Sequence, residues 1–227
     1  MTGPGPSPDL ARDVAIARAW LLGWAADVAA NRAWLTDLDA AIGDGDHGIN
    51  LDRGLAAVAA DLMAGEGGAN AQNAGPLLAA AGRRLMGVVG GASGALYGRA
   101  FVRAGEAVTA ASAPGAAPGA SEDRVGEVAL EAAIDAIATL GKAVRGDKTM
   151  LDALVPALEA LRAHRGEPRR HDRAATAAEA GADATVPLVA RRGRASYLGE
   201  RSAGHRDPGA ASAAMLVRAL ARAHAPA

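Results

Sequence analysis

Apolar residues return every three or four positions along most of this chain, and strict apolar–polar alternation is almost missing, so the sequence predicts helices rather than strands. Ser7 and Pro8 open the first, with a hydroxyl at the cap and proline at the first helical position. Leu10, Val14, Ala17, Leu21, Trp24 and Val28 form its stripe, and the chain continues through Trp34, Leu35 and Leu38 into an acidic loop. A second helix follows Asn50, a good N-cap residue, on Leu51, Leu55, Val58 and Leu62. Leu77, Leu78, Ala81, Leu85 and Val88 mark a third, and residues 94–111 a fourth. The acidic pair Glu122-Asp123 suits the start of a fifth, carrying Val125, Val128, Ile134, Ile137 and Leu140. Thr149 caps a sixth that runs through Leu161 and is expected to kink at Pro156, where an intrahelical hydrogen bond is lost. A seventh covers about 171–191, and Pro208-Gly209 leads into an eighth with Met215, Leu216, Val217 and Leu220.

Chemistry gathers in the connections. Residues 39–50 place Asp39, Asp44 and Asp46 beside His47 and three glycines, a span too short to bury a core. Carboxylates this close repel unless a cation lies between them, and Mg2+ pairs a few carboxylates with phosphate oxygens. The alternative is a solvated acidic turn. The run Gly90-Gly91-Ala92-Ser93-Gly94 stands where a helix opens, so backbone N–H groups and the Ser93 hydroxyl suit an anion; a plain flexible connector has the same composition. His47 is placed to donate to a phosphate oxygen or to order the aspartates. His164, His171 and His224 read as solvated, and His205 stays open. From Arg191 to Asp207 no apolar stripe is visible, although Arg194, Tyr197, Glu200, Arg201 and Arg206 are present. A lid over a ligand fits such a stretch, with Arg194 offering a fork to phosphate or else pairing with Glu200.

Composition narrows the class further. With 227 residues and 50% hydrophobic content the chain can fill a core, and one domain over residues 1–227 is expected, with 1–7 flexible. An aromatic fraction of 3% and heavy alanine usage favour closely packed helices. The formal net charge of −1 calls for neither nucleic acid nor membrane. No apolar run approaches the ~20 residues that span a bilayer and no signal segment is evident, which reads as a soluble, cytoplasmic protein. Cysteine is absent, which excludes thiolate chemistry.

Four segments, 39–50, Gly90–Gly98, Gly146–Met150 and Gly193–Gly209, together resemble the nucleotide-binding L subunit or L domain of the dihydroxyacetone kinase family, in the same order from about Leu35 to Ser212. The resemblance implies an all-α fold, an antiparallel, barrel-like bundle of about eight helices with the site at one end. It implies ADP or ATP held through two Mg2+ ions and phosphoryl transfer to dihydroxyacetone on a separate K subunit. By match of motif, Asp39, Asp44 and Asp46 are the magnesium ligands, and His47, Gly48, Ile49 and Asn50 touch the nucleotide phosphates. Ala92 and Ser93 are the phosphate loop, Gly141 and Met150 line the nucleotide pocket, Arg194 is the arginine at the nucleotide and the candidate catalytic group, and Asp207, Pro208 and Gly209 make the last contact. The chain departs from the family at Ala95, where proline is usual, and at Pro187, inside the expected seventh helix. Residues 64–74 and 111–122 are longer and richer in Ala and Gly than the fold requires.

Within that family two phosphoryl sources are open. One is a phosphocarrier M subunit of the phosphoenolpyruvate-dependent sugar transport system, rephosphorylating bound ADP; the other is free ATP in a fused kinase for dihydroxyacetone or a related sugar. The start at Met1 with a short leader favours the separate subunit. A nucleotide-sensing module that contacts a transcriptional regulator would use the same residues. A Walker-type site is excluded by pattern, and a calcium loop starting at Asp44 fails because its twelfth position is Leu55.

Overall fold

The computed structural model describes residues 7–65, 72–116 and 123–225. Among these lie α1 (Pro8–Ala30), α2 (Arg32–Ile42), α3 (His47–Met63), α4 (Gly75–Val88), α5 (Gly91–Ala111), a π-helical turn (Arg124–Val128), α6 (Ala129–Gly141), α7 (Leu151–Ala163), α8 (Arg170–Asp183), a 3-10 segment (Arg194–Ser202) and α9 (Pro208–His224), with no strand. Glu122, residues 1–6 of the expected flexible start, and much of the two Ala/Gly-rich stretches fall outside the described residues.

Several expected boundaries move. The first stripe is two helices, because Asn31 leaves helical geometry (φ −111°, ψ 15°) and turns the chain between α1 and α2. Asn50 is not a cap. α3 already starts at His47, and Asn50 Oδ1 accepts from Arg53 Nη2 at 2.9 Å. Thr149 stands one residue before the cap, which is Met150 without a side-chain cap bond; its Oγ1 accepts the Leu151 N–H at 3.2 Å and Asp152 Oδ2 accepts the Thr149 N–H at 2.8 Å, which together fix the entry to α7. The seventh helix ends at Asp183 rather than near 191, which leaves Pro187 in the following turn, where proline commonly stands after a helix end.

α7 passes through Pro156 without a break. The proline has no N–H for the carbonyl four residues back, that of Asp152. Gly181 of α8 lies against that same oxygen: a Cβ built on it would stand 2.0 Å away. The glycine therefore lets α8 sit directly on the carbonyl that the proline frees.

Contacts between helices run α1–α3–α4–α5–α6–α7–α8–α9 and return to α1, a closed ring with α2 packed on α3. One apolar core fills it. Four of the six aromatic residues, Trp20, Trp24, Tyr97 and Phe101, pack there as tilted pairs with ring centroids 4.9–5.7 Å apart. Each buried indole finds an acceptor on α9, Trp20 Nε1 at the Leu216 carbonyl (2.9 Å) and Trp24 Nε1 at that of Ser212 (3.2 Å). No helix among the described residues is long and apolar enough to cross a membrane.

Candidate functional site

A cleft of about 380 Å³ opens at one end of the ring. The first residues of α3, α5 and α9 and Met150, just before α7, all line it, and α6 ends there. Helix starts present unpaired N–H groups and the positive end of the peptide dipole, so four of them meeting at one cleft favour a multiply charged anion. Ring neighbours alternate in direction as a consequence.

Asp39, Asp44 and Asp46 stand at its mouth with a carboxylate oxygen of each within 4.8 Å of the others. Local geometry holds them there. Gly45 takes φ +73°, which lets the chain turn back between Asp44 and Asp46, and Gly43 leaves room for Asp39, whose Oδ1 would be 2.1 Å from a Cβ at 43. Asp39 Oδ2 accepts the N–H groups of Asp46 (2.9 Å) and His47 (3.1 Å), satisfying the start of α3 from the preceding helix. Asp46 makes no side-chain cap of its own. Three oxygen donors of this kind fit a hard divalent cation that keeps part of its water shell.

His47 is buried, and its ring nitrogens face hydroxyls rather than an open phosphate position. Ser212 Oγ donates to the Gly209 carbonyl (3.1 Å), so it accepts from Tyr97 OH (2.7 Å) and from His47 Nε2 (2.9 Å). That assigns Nδ1 as the acceptor of the Ser93 hydroxyl at 2.9 Å. Burial lowers the His47 pKa against the pull of Asp39 and Asp46, consistent with a neutral ring. The chain Ser93–His47–Ser212–Tyr97 thus fixes the starts of α3, α5 and α9 relative to one another. Tyr97 and Ser212 carry no motif of their own in the sequence.

The opposite wall is apolar, with Leu96, Ile137, Leu140 and Met150 beside Gly141, a slot suited to a flat ring. Lys148, buried at φ 63°, donates to the Thr185 carbonyl (2.8 Å) and to that of His205, tying the Gly146–Met150 turn to the chain on either side of the 3-10 segment. Burial lowers its pKa, with Asp207 and Asp152 pulling the other way. Arg194 reaches across the mouth to Asp44 (Nη1–Oδ2 3.1 Å), not to Glu200, so the 3-10 segment closes one side of the cleft. Asp39, Asp44, Asp46, His47, Ala92, Ser93, Gly141, Met150, Arg194, Asp207, Pro208 and Gly209 all line the cleft, together with Lys148, Thr149 and Arg192. Gly48, Ile49 and Asn50 lie outside its lining because helical geometry begins at His47. Gly48 packs against the Arg32 carbonyl of α2, and Ile49 is 50% exposed.

Asp207 caps α9 through Ala210 N–H (2.7 Å), and burial pushes its carboxyl from 3.8 up to about 7, against the pull of that N–H and of Lys148. The folded protein holds this proton more tightly than the unfolded chain. The resulting stabilisation is full below about pH 4 and is lost as pH rises to about 7. Melting curves of the metal- and nucleotide-free protein over this range should therefore fall more steeply for wild type than for Asp207→Asn, and parallel curves would refute the assignment.

The DAK2 domain family matches residues 41–222. The ADP-binding subunit of PEP-dependent dihydroxyacetone kinase from Escherichia coli is 40% identical over 83% of this chain and 87% of its own length. An L-erythrulose 1-kinase from Mycolicibacterium smegmatis is 43% identical over 81% of this chain but only 31% of its own length. The crystal structure of the dihydroxyacetone kinase of C. freundii in complex with AMP-PNP and Mg2+ superposes with a TM-score of 0.68 at 28% identity, covering 98% of this chain and 36% of that one. A match over residues 41–222, which takes in Asp44, Asp46 and the helix starts around the cleft, means that the chain belongs to the DAK2-domain family.

Proposed function

We propose that this chain is the ADP-binding subunit of a dihydroxyacetone kinase and passes a phosphoryl group from Mg2+-bound nucleotide to dihydroxyacetone held by a separate K subunit, its ADP being rephosphorylated by a phosphocarrier M subunit fed from phosphoenolpyruvate. The observation that carries this reading is the convergence of the three aspartates with the helix starts of α3, α5, α7 and α9 around one cleft that has an apolar far wall. Bound there, two Mg2+ ions would neutralise the nucleotide phosphates and offset the charge that develops during transfer. Asp39, Asp44 and Asp46 would hold these ions, Ala92 and Ser93 present backbone N–H donors to phosphate oxygens while the Ser93 hydroxyl stays on His47, and Gly141 and Met150 flank the base. Arg194 moves from Asp44 to the phosphoryl group in flight. No residue of this chain is needed as a nucleophile, because the attacking hydroxyl belongs to the sugar.

The match to the Escherichia coli ADP-binding subunit, over 87% of that subunit's length, supports an ADP-binding role for this module. Relatives named for erythrulose match over only 31–32% of their length, which supports a sugar choice made outside this module.

The isolated chain is expected to give no dihydroxyacetone phosphate, and turnover should appear on adding a K subunit together with the phosphocarrier system. Arg194→Ala should then lower turnover on the order of 100-fold, as loss of one donor to transition-state charge does, while ADP affinity falls far less. Turnover by the chain alone, or equal losses in affinity and rate, would overturn the division of labour.

A further inference from the structure

Two groups of buried charge lie apart from the three aspartates. At the far side of the ring Asp123 accepts the Gly126 N–H (2.7 Å) and faces His171 Nε2 (2.8 Å), Arg170 Nη2 (3.2 Å) and His224 Nε2 (3.3 Å), a set that staples α8 and α9 to the π-helical turn. Both histidines, expected to be solvated, have side chains only 15% and 11% exposed. The other group is Asp147 and Lys148 of the Gly146–Met150 turn, 3% and 1% exposed beside the cleft.

Lys148 occupies a place that its own chemistry resists. Its backbone is left-handed, where a side chain is strained, and its ammonium is out of water. In exchange it meets the carbonyls of Thr185 and His205, and these are the two ends of the excursion that carries Arg194. Thr185 stands just past α8, so the cation also faces the negative end of that helix. One side chain thus closes the base of the loop, beside two further links, Gly204 N–H to the Val186 carbonyl (2.7 Å) and Asp207 N–H to Thr185 Oγ1 (3.0 Å).

The neighbouring Asp147 grips the arm just before Arg194: its carbonyl accepts the Arg191 N–H (3.0 Å) and its carboxylate the Arg192 Nε–H (3.3 Å). Ser202 Oγ accepts the Ala190 N–H (2.8 Å) and donates to the Gly199 carbonyl (2.6 Å), which joins the two arms. The turn itself is held by the Asp152 carboxylate on the N–H groups of Gly146 and Thr149. Arg194 is 68% exposed, and an ion pair as open as its contact with Asp44 is too weak to set the position of a backbone. Its placement therefore comes from the base of the loop.

We propose that Lys148 is the positioning residue for Arg194: by closing the base of the 186–204 loop it fixes where the arginine enters the mouth of the cleft. The inference rests on the part that the proposed function gives to Arg194 in phosphoryl transfer. Lys148 acts on the reaction only through that arginine, since its ammonium is committed to two backbone carbonyls.

Turnover with the K subunit and the phosphocarrier system, together with calorimetry of ADP and Mg2+, should be measured in wild type, Lys148→Met, Arg194→Ala and the double variant. Lys148→Met is expected to lower turnover roughly tenfold, as displacement of a catalytic group does, with little change in ADP affinity. The double variant should be no slower than Arg194→Ala, because a residue that acts through the arginine then has nothing left to position. Trypsin should cut after Arg194 and Arg201 faster in Lys148→Met than in wild type at unchanged helical circular dichroism, a readout that needs no turnover. Ser202→Ala loosens the arms from outside the cleft lining and should shift turnover and proteolysis in the same direction; it carries the same cycle if Lys148→Met does not fold. Losses that add in the double variant, ADP affinity falling in step with turnover, or proteolysis at the wild-type rate would each overturn the inference alone. Wild-type turnover in Arg194→Ala would overturn the role of the arginine and this inference with it.

Discussion

Asp46→Ala is expected to lose Mg2+-dependent ADP binding by on the order of 100-fold, because removing one charged partner costs about 2–5 kcal/mol and each 1.4 kcal/mol is tenfold. The fold should hardly notice: Asp46 caps nothing with its side chain, and its removal relieves repulsion from two neighbouring carboxylates. Asp39→Ala should behave differently although it belongs to the same cluster. Its Oδ2 also holds the N–H groups of Asp46 and His47, so about 2 kcal/mol of charge-assisted hydrogen bonding goes as well, a fall of roughly 4–8 °C in melting temperature for a chain of this size. Calorimetry of ADP with and without Mg2+, alongside thermal melts of both variants, separates the two roles. Unchanged affinity in Asp46→Ala would remove the cluster from the nucleotide site.

Gly181→Ala should destabilise the protein by about 1–3 kcal/mol, the usual cost of forcing a methyl group into a filled contact. The new Cβ would start 2.0 Å from the Asp152 carbonyl, and backbone on both sides would have to part. The damage should not stay local. Asp152 also holds the N–H groups of Gly146 and Thr149 through its carboxylate, so moving it disturbs the turn that carries Lys148 and Met150 into the cleft. A lower melting temperature together with weaker ADP binding is the expected pair of results. Wild-type stability would mean that α7 and α8 can separate at no cost, contrary to the packing described.

Much of this architecture is visible in the sequence, for reasons that differ from helix to helix. The stripes Leu51–Leu62 and Leu77–Val88 give helices directly because burial on one face demands that spacing, and the aspartates of residues 39–50 are legible because three like charges in one loop need a partner. The break at Asn31 is hidden, since asparagine is tolerated in helices and the apolar stripe continues past it. The end of α8 at Asp183 is hidden too, in an alanine-rich run with no change of pattern. Pro156 misleads because the compensating residue, Gly181, lies on another helix. The links from His47 to Ser212 and from Asp123 to His171 join residues 165 and 48 positions apart, and no local pattern reports such a meeting.

Trp34 gives the chain an optical handle. Trp20 and Trp24 are sealed in the core with their N–H groups bound to α9, so their emission reports on core packing. Trp34 is 39% exposed on α2, with the Arg206 guanidinium 5.5 Å from its ring centre, and Arg206 adjoins the cleft residue Asp207. A cation over an indole face alters its excited state, so any shift of the 203–207 connection against α2 registers as a change in tryptophan fluorescence from one residue of three. A displacement of that connection on ligand binding can thus be followed in the unmodified protein, with no dye attached and no residue changed.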